Sequence, residues 1–177
     1  MIYGERIRLR AVERSDLPRF VEWLNDADVM AGLSMYLPLS QDDEESWFDE
    51  MRKHPAEQHP LVIEVRNQDS WQPIGDCGFN TIDQHSRSAE IGIFIGRKDL
   101  WNRGYGTETM CLLLKHGFHT LNLNRIFLRV YETNKGAIRS YEKAGFVHEG
   151  RMRQAQFRNG KYEDVLLMSV LRSERQG

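Results

Sequence analysis

The stretch that decides the predicted fold is SAEIGIFIGRKDLWNRGYGTETMCLLLKHGFHTLNLNRIFLRVYE, residues 88–132. Its two ends, residues 88–96 and 125–132, are apolar-rich runs that predict strands. Between them, residues 107–122 carry apolar side chains at helical spacing. A strand, a helix and a second strand in this order predict a β-α-β crossover, so the two strands are expected to be parallel neighbours.

The elements on either side of this stretch extend the same sheet. Towards the N-terminus we predict a strand at residues 7–12 and a helix at 15–26. An irregular segment, 26–39, separates this helix from a second one at 40–54. Two strands joined by a polar turn follow at 60–83. Towards the C-terminus, Asn134 and Gly145 are the expected cap and stop of a short helix. Two last strands, 146–152 and 162–171, follow, and Asn159-Gly160 predicts a hairpin between them.

The predicted fold class is therefore α/β (α+β). It has one mixed, mostly antiparallel sheet of about seven strands with helices on both faces. A chain of 177 residues is long enough to bury its own core, and neither a linker nor a repeat interrupts it. We expect a single domain over residues 1–177.

Composition excludes several classes of protein. The net charge of -2 argues against nucleic acid as a partner, because phosphate backbones require a basic surplus. Cys77 and Cys111 form neither a disulfide framework nor a zinc motif, so a reducing, cytoplasmic setting is expected. The charged N-terminus does not resemble a signal peptide, and no apolar run is long enough for a bilayer. His116 and His119 have no evident third partner, so no metal is expected.

Two glycines, Gly104 and Gly106, follow Arg103 where the first strand of the crossover leads into its helix. Glycines this close together mark backbone with unusual angles or a close approach by a ligand. The P-loop string GxxxxGK[ST] is absent from the sequence. The dinucleotide motif GxGxxG also fails, because Thr109 replaces its third glycine and the expected downstream acidic residue is missing.

A third arrangement needs only a strand, a glycine-bearing loop and the free amides of a helix start. Such amides, helped by the helix dipole, bind a pyrophosphate without any special side chain. Arg103 would add a charge-assisted contact. The alternative is a tight strand-to-helix turn that binds nothing.

Three segments together resemble a known family: the strand AEIGIFI with RGYGTE, the strand start LNLNRI, and N-x-x-A-I-x-x-Y-x-x-x-G-F from Asn134 to Phe146. They resemble the GNAT superfamily of acyl-CoA-dependent N-acetyltransferases. The resemblance is strong over about residues 88–170. It looks most like the branch that contains the ribosomal-protein N-terminal acetyltransferases and the spermidine N-acetyltransferases.

The resemblance implies the GNAT fold, with its parallel strands splayed apart where acetyl-CoA binds. It implies that the backbone of Ile93, Phe94 and Ile95 pairs with the pantetheine as an added strand would, and that one of its amides serves the carbonyl oxygen. The other implied cofactor-binding residues are Arg103, Gly104, Tyr105, Gly106, Thr107 and Asn134. Capping alone would also explain Asn134.

One position departs from the family pattern. The superfamily's loop is commonly Q/R-x-x-G-x-G/A, and its first position here is Trp101. This implies that the phosphate site depends more on backbone amides and Arg103.

Acetyl transfer to an amine requires a proton donor for the departing thiolate. Tyr141 matches the family tyrosine that lies near the thioester sulfur, and a phenol is able to donate to a thiolate. The alternative is that Tyr141 is only a helix aromatic that packs with Ile138 and Phe146.

The amine must also lose a proton, and Glu90 is the candidate general base. It begins the strand that leads into the glycine loop, and it would take the proton directly or through a water. The alternatives are a solvated glutamate, one paired with Arg87 or Arg129, or deprotonation through a water chain without a side-chain base.

The acceptor is expected to be a protein N-terminus or a small amine, with a polyamine or an amino sugar as alternatives. Selection is expected from residues 25–40 and the last hairpin, because loops on a rigid scaffold carry specificity. The acidic run DDEE, residues 42–45, is either a solvated helix start or an attractor for a cationic amine. A homodimer is common in this branch. A non-catalytic acyl-CoA-binding sensor is the alternative from another functional class.

Overall fold

The computed structural model describes residues 1–68 and 70–175 of the chain. The strands are β1 Ile2–Tyr3, β2 Ile7–Ala11, β3 Leu61–Asn67, β4 Ser70–Asp83, β5 Ser88–Ile95, β6 Arg125–Tyr131, β7 Val147–Arg158 and β8 Lys161–Leu171. The helices are α1 Leu17–Leu24, α2 Ala27–Met30, α3 Gln41–Met51, α4 Tyr105–His119 and α5 Lys135–Ala144. In the described ranges no helix is both long and apolar enough to cross a membrane.

The strands form one mixed sheet in the order β1-β2-β3-β4-β5-β6-β8-β7. The predicted fold class is confirmed, and the described sheet has eight strands where about seven were expected. The additional strand is β1, which at two residues is too short to show any periodicity. The short helix α2 lies in the segment predicted to be irregular, and it forms because the Asp26 carboxylate caps its first amides.

The predicted crossover is confirmed, because β5 and β6 are the parallel pair of the described sheet. α4 connects them and begins at Tyr105, two residues before the predicted start. Asn134 caps α5 by accepting a 3.1 Å hydrogen bond from the amide of Ala137. Gly145 ends α5 with a φ of 98°, in the left-handed region that glycine tolerates.

The helices cover both faces of the sheet, and each face has its own apolar cluster. The larger cluster joins α4 and α5 to strand residues such as Ile63, Ile91 and Leu128. The smaller cluster joins α1 and α3 to Val62, with Phe94 packed against it. Because side chains alternate along a strand, neighbouring residues such as Val62 and Ile63 face opposite clusters. We call these the α4/α5 face and the α1/α3 face.

Candidate active site

A gap opens in the sheet between β5 and β6. Their ladder pairs only the first residues of each strand and ends at Glu90 and Phe127, although β5 continues to Ile95 and β6 to Tyr131. No described strand pairs with the β6 side of residues 91–95. Backbone amides and carbonyls require partners, so this edge is able to accept an extended chain as an added strand.

The three predicted pantetheine-binding residues line this gap. Ile93, Phe94 and Ile95 are paired on their other side with β4, and they lie beyond the last rung of the β5–β6 ladder. Ile93 and Ile95 pack against the larger cluster, whereas Phe94 packs against the smaller one. The strand therefore separates the two faces at the point where a cofactor would enter.

The glycine loop ends at the N-terminus of α4 with its amides open. Gly104 is the N-cap, and its φ of 84° is left-handed, which explains why a glycine stands there. No side chain of the described residues caps the helix, and the first intrahelical bond is donated by the amide of Glu108 to the Gly104 carbonyl at 3.0 Å. The amides of Tyr105, Gly106 and Thr107 precede that bond, so they have no partner within the helix and could bind an anion.

The side chains of this loop divide between structure and binding. The Thr107 hydroxyl lies 2.9 Å from the Ser140 hydroxyl and so ties α4 to α5. The Trp101 indole donates a 2.8 Å hydrogen bond to the carbonyl of Ile95, and it fastens the loop to β5. The Arg103 side chain is exposed at the helix start, where a phosphate would lie.

Arg6 is a residue of this region that the sequence analysis missed. Its Nη1 donates a 3.0 Å hydrogen bond to the carbonyl of Arg103, and its Nε lies 2.9 Å from the Glu108 carboxylate. Its guanidinium also lies 4.8 Å from the centre of the Tyr105 ring. Arg6 therefore braces the loop and places a second cation beside the α4 N-terminus. No local motif marks it, because its partners are about a hundred positions away.

Tyr141 lies on the α4/α5 face and packs with the ring of Phe146 at 6.0 Å. The residue is 9% exposed, and burial raises the pKa of its phenol to about 12. Within the described residues its hydroxyl has no partner, and no fully buried side-chain oxygen there is left without one. The hydroxyl oxygen is therefore not fully buried, and the raised pKa keeps it protonated and able to donate.

Glu90 is held by an ion pair. Its two carboxylate oxygens accept hydrogen bonds from Nε and Nη2 of Arg129, at 2.7 and 3.0 Å. This is one of the alternatives stated above, and the arrangement engages both oxygens. A role as base therefore requires the carboxylate to leave Arg129 when it takes a proton, or a water to relay the proton.

Asn134 lies beside the segment that follows α2. A Cβ added to Gly32 would lie 2.9 Å from Nδ2 of Asn134, which shows that the two segments are in direct contact. Oδ1 of Asn134 already caps α5. A contact with pantetheine would therefore have to come from Nδ2, and that role stays a prediction.

The two segments expected to select the acceptor meet over the α1/α3 face. Arg158, at the end of β7, donates to the carbonyls of Met30, at 2.7 Å, and of Ala31 and Leu33. Its guanidinium stacks 5.2 Å from the centre of the Tyr131 ring. The hairpin and the segment after α2 therefore form one wall beside the gap.

Within the ranges 1–68 and 70–175, no group of three His, Cys, Asp or Glu side chains is placed to hold a metal ion. His116 instead packs against the Phe79 ring at 6.3 Å, and burial lowers its pKa.

Comparison with known proteins identifies the family. Residues 6–147 match the model of an acetyltransferase (GNAT) domain. Two relatives are each 31% identical: the uncharacterized N-acetyltransferase p20 of Bacillus licheniformis, covering 99% of this chain and 98% of its own, and the spermidine N(1)-acetyltransferase of Vibrio cholerae, covering 97% and 96%. The structure of the spermidine N-acetyltransferase from Vibrio cholerae in complex with CoA and spermine superposes with a TM-score of 0.87 at 30% identity, over 97% of this chain and 98% of that one.

The matched family model covers most of the chain, and the relatives cover nearly all of it. The fold and the open gap agree with that assignment. The chain belongs to the GNAT acetyltransferases and is an acyl-CoA-dependent N-acetyltransferase that uses acetyl-CoA.

Proposed function

We propose that the protein transfers the acetyl group of acetyl-CoA to a primary amine of a small cationic acceptor of the polyamine class. The observation that carries the site assignment is the gap between β5 and β6, which ends beside the uncapped N-terminus of α4. An extended pantetheine fits the first feature and a pyrophosphate fits the second.

In this proposal the pantetheine lies along Ile93, Phe94 and Ile95 as an added strand, and one of their amides donates to the thioester oxygen as it gains charge. The pyrophosphate receives the amides of residues 104–107, with Arg103 beside them. Asn134 borders the pantetheine from the start of α5. These residues promote the reaction by holding acetyl-CoA and the amine in the right relative orientation, because the amine attacks the bound thioester directly.

The chemistry proceeds by direct attack of the neutral amine on the thioester carbonyl. A C–N bond forms and the C–S bond breaks, and the sulfur leaves as a thiolate. Tyr141 donates a hydrogen bond to that thiolate. Its pKa of about 12 makes full proton transfer less favourable than stabilisation through the hydrogen bond. The ammonium proton leaves through Glu90 or through water.

The acceptor class is supported by the Vibrio cholerae relative, whose name gives spermidine as substrate and whose structure holds spermine. The protein N-terminus, expected first from the sequence, and an amino sugar both stay unconfirmed predictions. A homodimer and a single domain over residues 1–177 stay predictions.

The test is thiol release from acetyl-CoA with a panel of amines: spermidine, spermine, glucosamine, and peptides that begin with Ser or Ala. We expect CoA to raise the melting temperature and the polyamines to give the highest kcat/KM. Turnover confined to the peptides or to the amino sugar would overturn the acceptor assignment. A melting temperature that CoA leaves unchanged would contradict the cofactor site.

A further inference from the structure

One member of the acidic run 42–45 is buried. Glu44 is 4% exposed, whereas Asp42 is exposed. Glu44 shares a stripe of α3 with Phe48 and Met51, at spacings of four and three residues, and both of these pack in the smaller cluster. The Glu44 side chain therefore points from α3 towards the sheet, and not into solvent as its neighbours do.

Asp76 lies on the sheet face towards which Glu44 points. In the register of the sheet, Asp76 lies between Val62 of β3 and Phe94 of β5. Both of those residues pack on the α1/α3 face, and cross-strand neighbours share a face. Asp76 is therefore on the face that α3 covers. Burial raises the pKa of Asp76, and the negative charge of Glu44 on the helix that covers this face raises it further.

These two carboxyls, the Glu44–Asp76 pair, have no counter-cation among the described residues. Neither has a hydrogen-bond or ion-pair partner within residues 1–68 and 70–175. The arginines of β2 that reach the same face, Arg8 and Arg10, are already paired with Glu64 and Asp16. Because the described residues contain no fully buried side-chain oxygen without a partner, the oxygens of the pair reach solvent-accessible space.

Burial without a cation is costly for carboxylates. Desolvation raises the pKa of each member to about 7. Apolar side chains at these two positions, or an arginine paired with the carboxylates, would make the folded protein more stable. An external cation would satisfy both carboxylates.

The pair also lies next to the proposed cofactor strand. Asp76 is directly opposite Phe94, and neighbouring strands are about 4.8 Å apart. Phe94 lies between Ile93 and Ile95, the residues expected to carry the pantetheine. The rings of Phe20 and Trp23 stand edge-on to Phe94 at 6.1 and 6.4 Å, so apolar and aromatic surface adjoins the two carboxyls. Methylenes and an ammonium group both suit such surroundings.

We propose that Glu44 and Asp76 bind a second ammonium group of the acceptor, and so select diamines and polyamines over monoamines. This inference rests on the proposed function and names the residues that recognise the charge of its substrate. The reacting amine must be neutral at the thioester, whereas the distant amine stays protonated and neutralises the pair.

Steady-state kinetics with butylamine and 1,4-diaminobutane test this directly, because the two acceptors differ only in the second amine. We expect the wild type to favour the diamine in kcat/KM by at least about tenfold. Glu44→Gln and Asp76→Asn should each reduce that ratio to near one by raising the KM for the diamine, with the KM for acetyl-CoA unchanged. Asp42→Asn, which removes an exposed charge from the same helix, should keep the wild-type ratio.

A ratio that survives both substitutions would overturn the inference. So would a wild type that acetylates both amines equally, although that result would leave the acetyltransferase assignment intact. Calorimetry of 1,4-diaminobutane binding in the presence of CoA supplies a readout that is independent of turnover. Binding is expected in the wild type and loss in Glu44→Gln, and equal binding in both would contradict the proposal. The CoA-induced melting shift of each variant shows whether it is folded.

Discussion

The Nη2 atom of Arg158 lies 2.7 Å from the carbonyl oxygen of Met30, and so it joins the tip of the C-terminal hairpin to the end of α2. The same guanidinium bonds the carbonyls of Ala31 and Leu33. The Arg158 guanidinium thus holds the segment after α2, which has little regular secondary structure of its own. The shape of the acceptor side of the gap therefore depends on a residue near the other end of the chain.

Replacing Arg158 with glutamine should loosen this wall. We expect a stability loss of about 2 kcal/mol, because hydrogen bonds from a charged group are lost. The KM for the amine should rise about tenfold, equivalent to ~1.4 kcal/mol, with the KM for acetyl-CoA unchanged. Hydrogen exchange should quicken over residues 31–35. Arg153→Gln, an exposed change on the same strand, is the control, and equal effects from both would refute the role.

Gly104 should be needed for cofactor binding beyond its effect on stability. Its φ of 84° makes alanine unfavourable by about 1–2 kcal/mol. Gly160 has a similar φ of 77°, and a Cβ added there would have no described neighbour within 4 Å, so Gly160→Ala is a matched control for backbone strain. We expect both variants to melt at lower temperature and only Gly104→Ala to raise the KM for acetyl-CoA, by about tenfold. An unchanged KM in Gly104→Ala would show that the loop does not hold the phosphates.

Tyr141→Phe should lower kcat by about 100-fold, the scale of a lost hydrogen-bond donor to the developing negative charge, with the KM for acetyl-CoA little changed. Stability should change little, because the hydroxyl has no partner in the described part of the protein. Since the pKa of Tyr141 is raised to about 12, its phenol stays protonated from pH 7 to 10, and the pH profile of kcat should show no alkaline loss from it. A kcat equal to the wild-type value would leave Tyr141 as a packing residue only.

The role of Glu90 is separable from that of its ion pair with Arg129. If Glu90 accepts the proton, Glu90→Gln should lower kcat at least tenfold. Arg129→Gln, which releases the same carboxylate, should leave kcat within about threefold. Equal losses in the two variants would show that the ion pair matters for structure, and that the proton leaves by water.

The buried Glu44 carboxyl should make stability depend on pH. Its pKa in the folded protein is raised from 4.5 to about 7 by desolvation, so the folded state binds this proton more tightly than the unfolded state. Stability is therefore lost as the pH rises from about 4.5 to 7, and the cost is complete above that range. Glu44→Gln removes this cost, which is on the order of 2 kcal/mol.

The measurement is the melting temperature of wild type and Glu44→Gln at pH 5 and pH 8. The advantage of the variant should grow by about 4–8 °C between these two conditions, as expected for a chain of this size. Asp42→Asn should show no such growth. A constant difference between wild type and Glu44→Gln would mean that this carboxyl ionises normally in the folded protein.

Local signals predicted much of this molecule. The cap at Asn134, the stop at Gly145 and the hairpin at Asn159-Gly160 each depend on one or two residues with distinctive backbone preferences, and all three are observed. The order of strands and helices follows from periodicity. The splayed parallel pair was expected from the family resemblance, and the register shows it.

Ion pairs between residues that are distant in the chain could not be predicted from the sequence. Arg6 and Glu108 are 102 positions apart, and the sequence leaves Arg87 and Arg129 as alternative partners of Glu90 until the sheet register places Arg129 beside it. Glu44 was grouped with its exposed neighbours as one acidic run. The spacing of Glu44, Phe48 and Met51 was the available signal that one member of the run faces inwards.

The most direct test of the central claim is to identify the product when several acceptors compete. Acetyl-CoA is supplied with an equimolar mixture of spermidine and peptides that begin with Ser or Ala, and the products are identified by mass spectrometry. The account predicts singly acetylated spermidine as the main product, with the peptides largely unmodified. Acetylated peptides beside unmodified spermidine would contradict it.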